Sequence, residues 1–417
     1  MTDSTRPQVQ LRLPGSKSVT HRAFFLAAQC PDGAVVRAPL LSGDTRSTLA
    51  VLARLGAVST ARPDGSVEFA GGALVAGTAV LDCGNSGTTL RLASGLVATL
   101  NGTSSLDGDA SLRKRPNGPL LSALKQLGAQ TDAGDDGRAP FALIGPIRAG
   151  TTTFDPDVSS QYLSSLALAA TRLPGESRII AKAPVASRPY LDLTVATAAA
   201  FGVEIGLVDG ADGTEITAAG PQQPRCPRGG FDVASDWSSA AFPLVASAVH
   251  GVPVALQGLD PNSAQGDRAI VPVLRRFGQI TAWSGRHESP ELRLVPTQLA
   301  APDPIDVGQT PDMFPALCAL AACAPGTTVI AGAAGLRHKE CDRIAAMARG
   351  LAQLGVQCEE LVDGIKIVGG GPIGAHKDKV RRDVSSQGDI VIDCEHDHRI
   401  HMAFAILAPL SSRPVRI

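Results

Sequence analysis

Two kinds of apolar segment alternate along the chain. The first spaces its apolar residues at three and four and ends in Leu-Gly or Phe-Gly: "STLAVLARLGA", "PLLSALKQLGA", "LTVATAAAFGV", "AIVPVLRRFGQ" and "AAMARGLAQLGV". That spacing predicts an amphipathic helix with one buried stripe. The closing glycines, Gly56, Gly128, Gly202, Gly278 and Gly355, recur 72 to 77 residues apart. A glycine just past a helix takes the left-handed conformation without a Cβ penalty, which explains its fixed place. Two short extended runs follow each glycine, and in four cases Asp-Gly (at Asp64, Asp136, Asp212 and Asp363) separates them, a hairpin signal. The second kind is built of Ala, Leu, Ser and Phe and is apolar on nearly every side: "SVTHRAFFLAAQ", "NSGTTLRLASGLVATL", "SSQYLSSLALAATRL", "DWSSAAFPLVASAVH", "TPDMFPALCALAACA" and "DHRIHMAFAILAPL". Helices of that composition belong in a core. Six core helices stand against five amphipathic ones. A sixth Leu-Gly helix at the same period would end past Ile417, so the pattern predicts a last repeat that is incomplete in this sequence.

The heads of the core helices carry the chemistry. Each begins with Ser, Thr, Asn or Asp, which N-capping accounts for at about 1 kcal/mol apiece. Capping does not account for Lys17, Arg22, Arg91 and Arg399, because cations oppose the positive end of a helix dipole. Converging helix N-termini with cations beside them bind anions. The first such head, "LPGSKSVTHRA", is close to a nucleotide-binding loop, yet Gln10 stands where that motif needs its upstream glycine. A P-loop kinase is thereby excluded.

With 38 basic and 39 acidic side chains the net charge is −1, so an anion site must be local rather than part of a nucleic-acid or membrane field. The opening MTDSTRPQVQ is polar and no run approaches a bilayer span, so a cytoplasmic protein without leader or membrane segment is expected. The eight cysteines form no C-x-x-C and read as reduced thiols.

Taken in order, "PGSKSVTHRA", "LDCGNSGTTLRL", "GDASLRKRPNGPLLSALKQLGA", "SSQYLSSL", "SRPYLDLT", "DWSSAAF", "TPDMFPALCALAA", "LRHKECDRIAAM" and "DHRIHMAFA" resemble the 5-enolpyruvylshikimate-3-phosphate (EPSP) synthase family over almost the whole chain. The resemblance implies transfer of the enolpyruvyl group of phosphoenolpyruvate to the 5-hydroxyl of shikimate 3-phosphate, with release of phosphate. It implies an α/β fold, a two-domain inside-out α/β barrel of six βαβαββ repeats closing on its substrates. One domain is expected over 15–230 and the other over 1–14 plus 231–417. The expected partners are the two small-molecule substrates, with no nucleic acid, membrane or cofactor, and the expected state is a monomer.

The same resemblance places Lys17, Gly87, Arg115, Arg343 and Arg399 on phosphoenolpyruvate. It places Lys17, Ser18, Arg22, Ser159, Ser160, Gln161, Ser187, Tyr190, Asp312 and Lys339 on shikimate 3-phosphate. Asp312 matches the base at the substrate hydroxyl and Glu340 the acid–base carboxylate, with Lys17 as a further catalytic group. Lys339 would favour an ionised Asp312, whereas Glu340 needs a raised pKa to donate. "EHDHRIH" gathers His396, His398 and His401, but Arg399 among them would oppose a cation, and no metal is expected. Departures from the family pattern are His21 where asparagine is usual, Leu92 where many members have proline, Gly335 where some have asparagine, and the chain end, beyond which the family places another phosphoenolpyruvate lysine and the sixth outer helix. Two other readings remain open at this stage. One is UDP-N-acetylglucosamine enolpyruvyltransferase, which typically has asparagine where Ser18 stands; the other is an impaired paralogue that binds phosphorylated metabolites without turnover.

Overall fold

A computed structural model describes residues 9–77, 79–134, 136–155, 159–286, 289–371, 373 and 388–417. The chain divides into two compact units, Pro14–Ser235 and Met1–Leu13 with Asp236–Ile417, each around its own apolar core. Eleven α-helices form among the described residues. The first unit holds α1 (Lys17–Ala27), α2 (Gly43–Arg54), α3 (Gly87–Ala98), α4 (Gly118–Gln126), α5 (Ser160–Ala170) and α6 (Pro189–Ala200). The second holds α7 (Trp237–His250), α8 (Ile270–Arg276), α9 (Phe314–Cys323), α10 (Arg343–Gln353) and α11 (His398–Leu407).

The two helix types separate as their compositions require. In α9 every residue but the last is buried, and α1, α3, α5, α7 and α11 are likewise mostly enclosed. By contrast α10 buries a stripe through Ile344, Met347 and Leu351. All five Leu-Gly or Phe-Gly glycines lie in the left-handed region, at φ 99°, 106°, 71°, 87° and 77° for Gly56, Gly128, Gly202, Gly278 and Gly355. Each follows the helix and turns the chain into an antiparallel strand pair.

Five four-stranded sheets and one two-stranded sheet result among the described residues. In the four-stranded sheets a leading strand pairs parallel with the strand after the core helix, and that strand pairs antiparallel with the following hairpin. Leu81–Asp82, for instance, runs parallel to Gly102–Asp107, which pairs with Phe141–Gly145 and through it with Gln130–Asp132. A parallel neighbour needs a crossover, and in three of these sheets the core helix (α3, α5 or α9) is that crossover. Two leading strands are exchanged in sequence: Val9–Arg12 pairs with Val254–Gln257, and Phe231–Asp232 with Ala34–Arg37.

Because each core helix is covered on all sides, two of them can approach only where side chains are small. At Gly95 of α3 the backbone N–H donates to Ser165 Oγ of α5 at 3.1 Å, and an added Cβ would lie 2.6 Å from the Ser165 carbonyl oxygen. Gly95→Ala is therefore expected to cost about 1–3 kcal/mol through overpacking, read as a lowered urea midpoint with an unchanged m-value.

Candidate active site

In the Pro14–Ser235 unit the heads of α1, α3 and α5 carry the predicted groups. Ser86 caps α3 by accepting from Thr89 N at 3.1 Å, and Ser159 caps α5 by accepting from Gln161 N at 3.4 Å. Lys17, in the first turn of α1, donates from Nζ to Asp44 Oδ2 of α2 at 2.9 Å. Gly87, the first residue of α3, lies beneath two guanidinium groups: a Cβ there would sit 3.3 Å from Arg115 Nη1 and 3.5 Å from Arg91 Nη1. A side chain at this position would fill the space the two cations share, so glycine keeps the α3 terminus open to an anion. Arg115 is 7% exposed and is held by Asn85 and Ser111, while its Nε, buried, makes no hydrogen bond to the described residues.

Arg91 joins this arrangement through α5. Its Nη1 donates to Gln161 Oε1 at 2.6 Å, and its guanidinium carbon lies 5.1 Å from the centre of the Tyr162 ring, a cation–π contact. Gln161 in turn donates from Nε2 to Thr88 Oγ1 at 3.2 Å, so one amide ties the heads of α3 and α5. A parallel bridge between Ser159 and Ala186 sets the "SRPY" segment beside the "SSQ" segment. Ser187 has φ 54°, one of four non-glycine residues of positive φ among those described; such backbone strain concentrates at ligand sites. Glu395 and His396, just before α11, are two of the others.

Arg22 is placed differently from a solvent-facing ligand. It is 2% exposed and donates to Thr194 Oγ1 (2.7 Å), the Ser18 carbonyl (2.9 Å), Ser164 Oγ (3.2 Å) and the Tyr190 carbonyl (3.0 Å). One guanidinium thus binds two segments that carry predicted site residues, Ser18 and Tyr190. Burial is the cause that lowers its pKa, to about 10, which still leaves it charged at neutral pH.

The unit containing Asp236–Ile417 gathers the remaining predicted residues around one buried guanidinium. Arg343, the first residue of α10, donates from Nε to Asp397 Oδ2 (2.7 Å), from Nη1 to Asp312 Oδ1 (2.9 Å) and from Nη2 to Glu340 Oε2 (2.8 Å). Burial alone would lower its pKa; Glu340, Asp397 and Asp312 outweigh that and hold it above its already high value. Asp312 also accepts from Arg399 Nη2 at 3.0 Å, and Lys339 Nζ stands 4.0 Å from its Oδ1. Predicted residues Asp312, Lys339, Glu340, Arg343 and Arg399 therefore share one network.

Sequence reasoning left out four participants. Asp397 accepts from the Arg399 and Ile400 amides at the head of α11 as well as from Arg343. Asp44 holds Lys17, and Arg91, in sequence a cation at a helix head, enters the site through Gln161. Asp267 is 4% exposed, and its carboxyl is pushed up to about 7, first by burial and then by Asp312, against the lowering pull of Arg399. Asp397 was legible as a cap; Asp44 and Asp267, on other elements, carried no sequence signal of their roles.

An α/β chain of repeated units whose core helices begin with cations and capping groups presents anion-binding helix termini. The whole chain, residues 1–417, matches the family described as EPSP synthase (3-phosphoshikimate 1-carboxyvinyltransferase), and it belongs to that family. It is 41% identical over 397 residues to the 3-phosphoshikimate 1-carboxyvinyltransferase of Methanothrix thermoacetophila, covering 94% of this chain and 87% of that one. To the enzyme of that name from Halobacterium salinarum strain R1 it is 38% identical over 414 residues, covering 96% and 90%. The solved EPSP synthase of Acinetobacter baumannii superposes with a TM-score of 0.74 at 30% identity, covering 98% of this chain and 91% of that one.

Removing the central guanidinium would leave three carboxylates facing one another. Arg343→Met is expected to cost about 3–5 kcal/mol at pH 8. Part of that loss should return at pH 5, where protonation relieves the repulsion; urea unfolding at the two pH values measures both effects.

Proposed function

We propose that the chain transfers the enolpyruvyl group of phosphoenolpyruvate to the 5-hydroxyl of shikimate 3-phosphate, releasing phosphate. Asp312 carries the reading: one carboxylate, at the head of a core helix, is met by Arg343, Arg399 and Lys339, with Glu340 on the same guanidinium. A carboxylate that receives a hydroxyl proton beside cations that hold a carboxylate and a phosphate is what this addition requires. Nothing in the fold or the relatives favours the UDP-sugar acceptor or a non-catalytic binder.

The assigned roles follow the family motif position by position. Lys17, Gly87, Arg115, Arg343 and Arg399 bind phosphoenolpyruvate. Ser18, Arg22, Ser159, Ser160, Gln161, Ser187, Tyr190 and Lys339 bind shikimate 3-phosphate, and Lys17 touches both. Asp312 takes the proton of the 5-hydroxyl as its oxygen attacks the central carbon of phosphoenolpyruvate. Glu340 gives a proton to the methylene carbon, and the tetrahedral intermediate carries both substrates on one carbon. Loss of a methyl proton and of phosphate then leaves the enol ether, so proton and phosphate balance over the two steps. The reading includes a monomer in the cytoplasm. Burial raises the thiols of Cys30, Cys83, Cys318 and Cys341 and keeps them unreactive.

Phosphate release should require both substrates together. Asp312→Asn, which keeps the shape and removes the base, should lower kcat about 10²–10⁴-fold with shikimate 3-phosphate still bound in calorimetry. No phosphate release by the wild-type chain with both substrates would overturn the assignment.

A further inference from the structure

Four polar groups form a closed line beneath the first site. His21 Nδ1 lies 2.7 Å from Thr48 Oγ1, and Thr48 Oγ1 lies 2.7 Å from Thr89 Oγ1. Thr89 Oγ1 reaches Ser86 Oγ at 2.7 Å and the Asp44 carbonyl oxygen at 3.2 Å. His21, Thr48 and Thr89 are each 0% exposed and Ser86 is 1% exposed. The line joins α1, α2 and α3 at their N-terminal halves, and each element delivers a group to the site. Lys17 is one turn before His21 on α1, Asp44 grips Lys17, and Gly87 follows Ser86.

The hydrogens in this line have one consistent direction. Thr89 is the donor towards Ser86 Oγ at 2.7 Å and towards the Asp44 carbonyl oxygen at 3.2 Å, so its one hydroxyl hydrogen is spent on that side. Thr89 then accepts from Thr48, and Thr48, its single hydrogen used, accepts from His21. The ring must carry its proton on Nδ1. His21 Nε2 is buried with no partner among the described residues, and a bare lone pair there costs less than a stranded N–H.

We propose that His21 is a positioning residue, whose Nδ1–H tautomer sets a one-way hydroxyl relay through Thr48 and Thr89 that fixes Lys17, Asp44 and Gly87 for the phosphoenolpyruvate end of the site. The purpose given to the relay rests on the transferase reading above. The groups facing the ring are Lys17 and Arg22 on its own helix, Asp44 on α2, and the hydroxyl of Thr48. Burial lowers the ring pKa to about 3; Asp44 opposes this, while Lys17 and Arg22 reinforce it. The ring stays neutral through the whole range in which a free histidine charges. The unfolded chain then binds one more proton below about pH 6.5, so stability falls as the pH is lowered from there towards 3.

Two measurements test the relay. In the ring-¹⁵N-labelled wild-type protein, one histidine, absent from the spectrum of His21→Asn, should be a neutral Nδ1–H tautomer from pH 7 to pH 5. An Nε2–H tautomer or a charged ring at pH 5 overturns the proposal. In steady-state kinetics His21→Leu and Thr48→Val should each raise the KM for phosphoenolpyruvate about tenfold, as expected for one buried hydrogen bond. The double variant should be no worse than either single one because they break one line, and His21→Asn, which keeps an N–H donor, should recover most of the loss. An unchanged phosphoenolpyruvate KM in folded Thr48→Val, the milder of the two changes, overturns the proposal. A wild-type chain without turnover sinks the transferase reading; the relay then stands or falls on the ring spectrum.

Discussion

Helices that are apolar on every side have to be buried, and burying them decides where their polar first turns come to rest. Four of the six core helices, α3, α5, α9 and α11, are also the crossover between two parallel strands, and α1 and α7 each pass from one sheet to another, so each enters from one end only. Its first turn therefore cannot be moved without unpairing a strand. The consequence is a set of helix termini, each with free amides and a positive end, held in place by packing that has nothing to do with ligands. Such termini attract negative groups, and they leave cations with no local reason to be there. Lys17, Arg91 and Arg399 stand at these heads because something other than helix stability selects them.

Burying charge beside such termini has to be compensated. Arg343 and Arg22 are among the largest fully enclosed side chains of the molecule, yet they solve the problem differently. Arg343 meets three carboxylates and is held firmly charged, while Arg22 meets hydroxyls and carbonyls and has its pKa lowered. A guanidinium balanced by three carboxylates is a rigid centre about which Asp312 and Glu340 are aimed. One balanced by neutral dipoles retains net positive charge, which suits an environment that is to receive an anion.

Much of this was legible along the chain. The Leu-Gly period is physical: a helix of fixed length, a left-handed glycine to end it and a hairpin to return. The hairpins followed from Asp-Gly because that pair closes a tight turn on its own. The grouping of Asp312, Lys339, Glu340, Arg343 and Arg399 came from family motifs rather than from spacing, since the five belong to three separate segments. Asp44, Asp267 and the Thr48–Thr89 pair escaped notice for one reason. Nothing near them in sequence is unusual, and their roles arise only where a second helix is laid beside the first.

The sequence by itself determined which segments are helices, which of them are core and which are amphipathic, and where each one starts and stops. Those properties depend on hydrophobic period, caps and glycine, all of which act over a few residues. Tertiary structure decided which groups meet. It turned Lys17 to Asp44, enclosed Arg22 among hydroxyls and carbonyls, and brought Gly87 beneath Arg115 and Arg91. It also exchanged the strands Val9–Arg12 and Phe231–Asp232, each of which completes a sheet far away in sequence. Contacts of this range are settled by the packing of whole helices against sheets, and no local pattern carries that information.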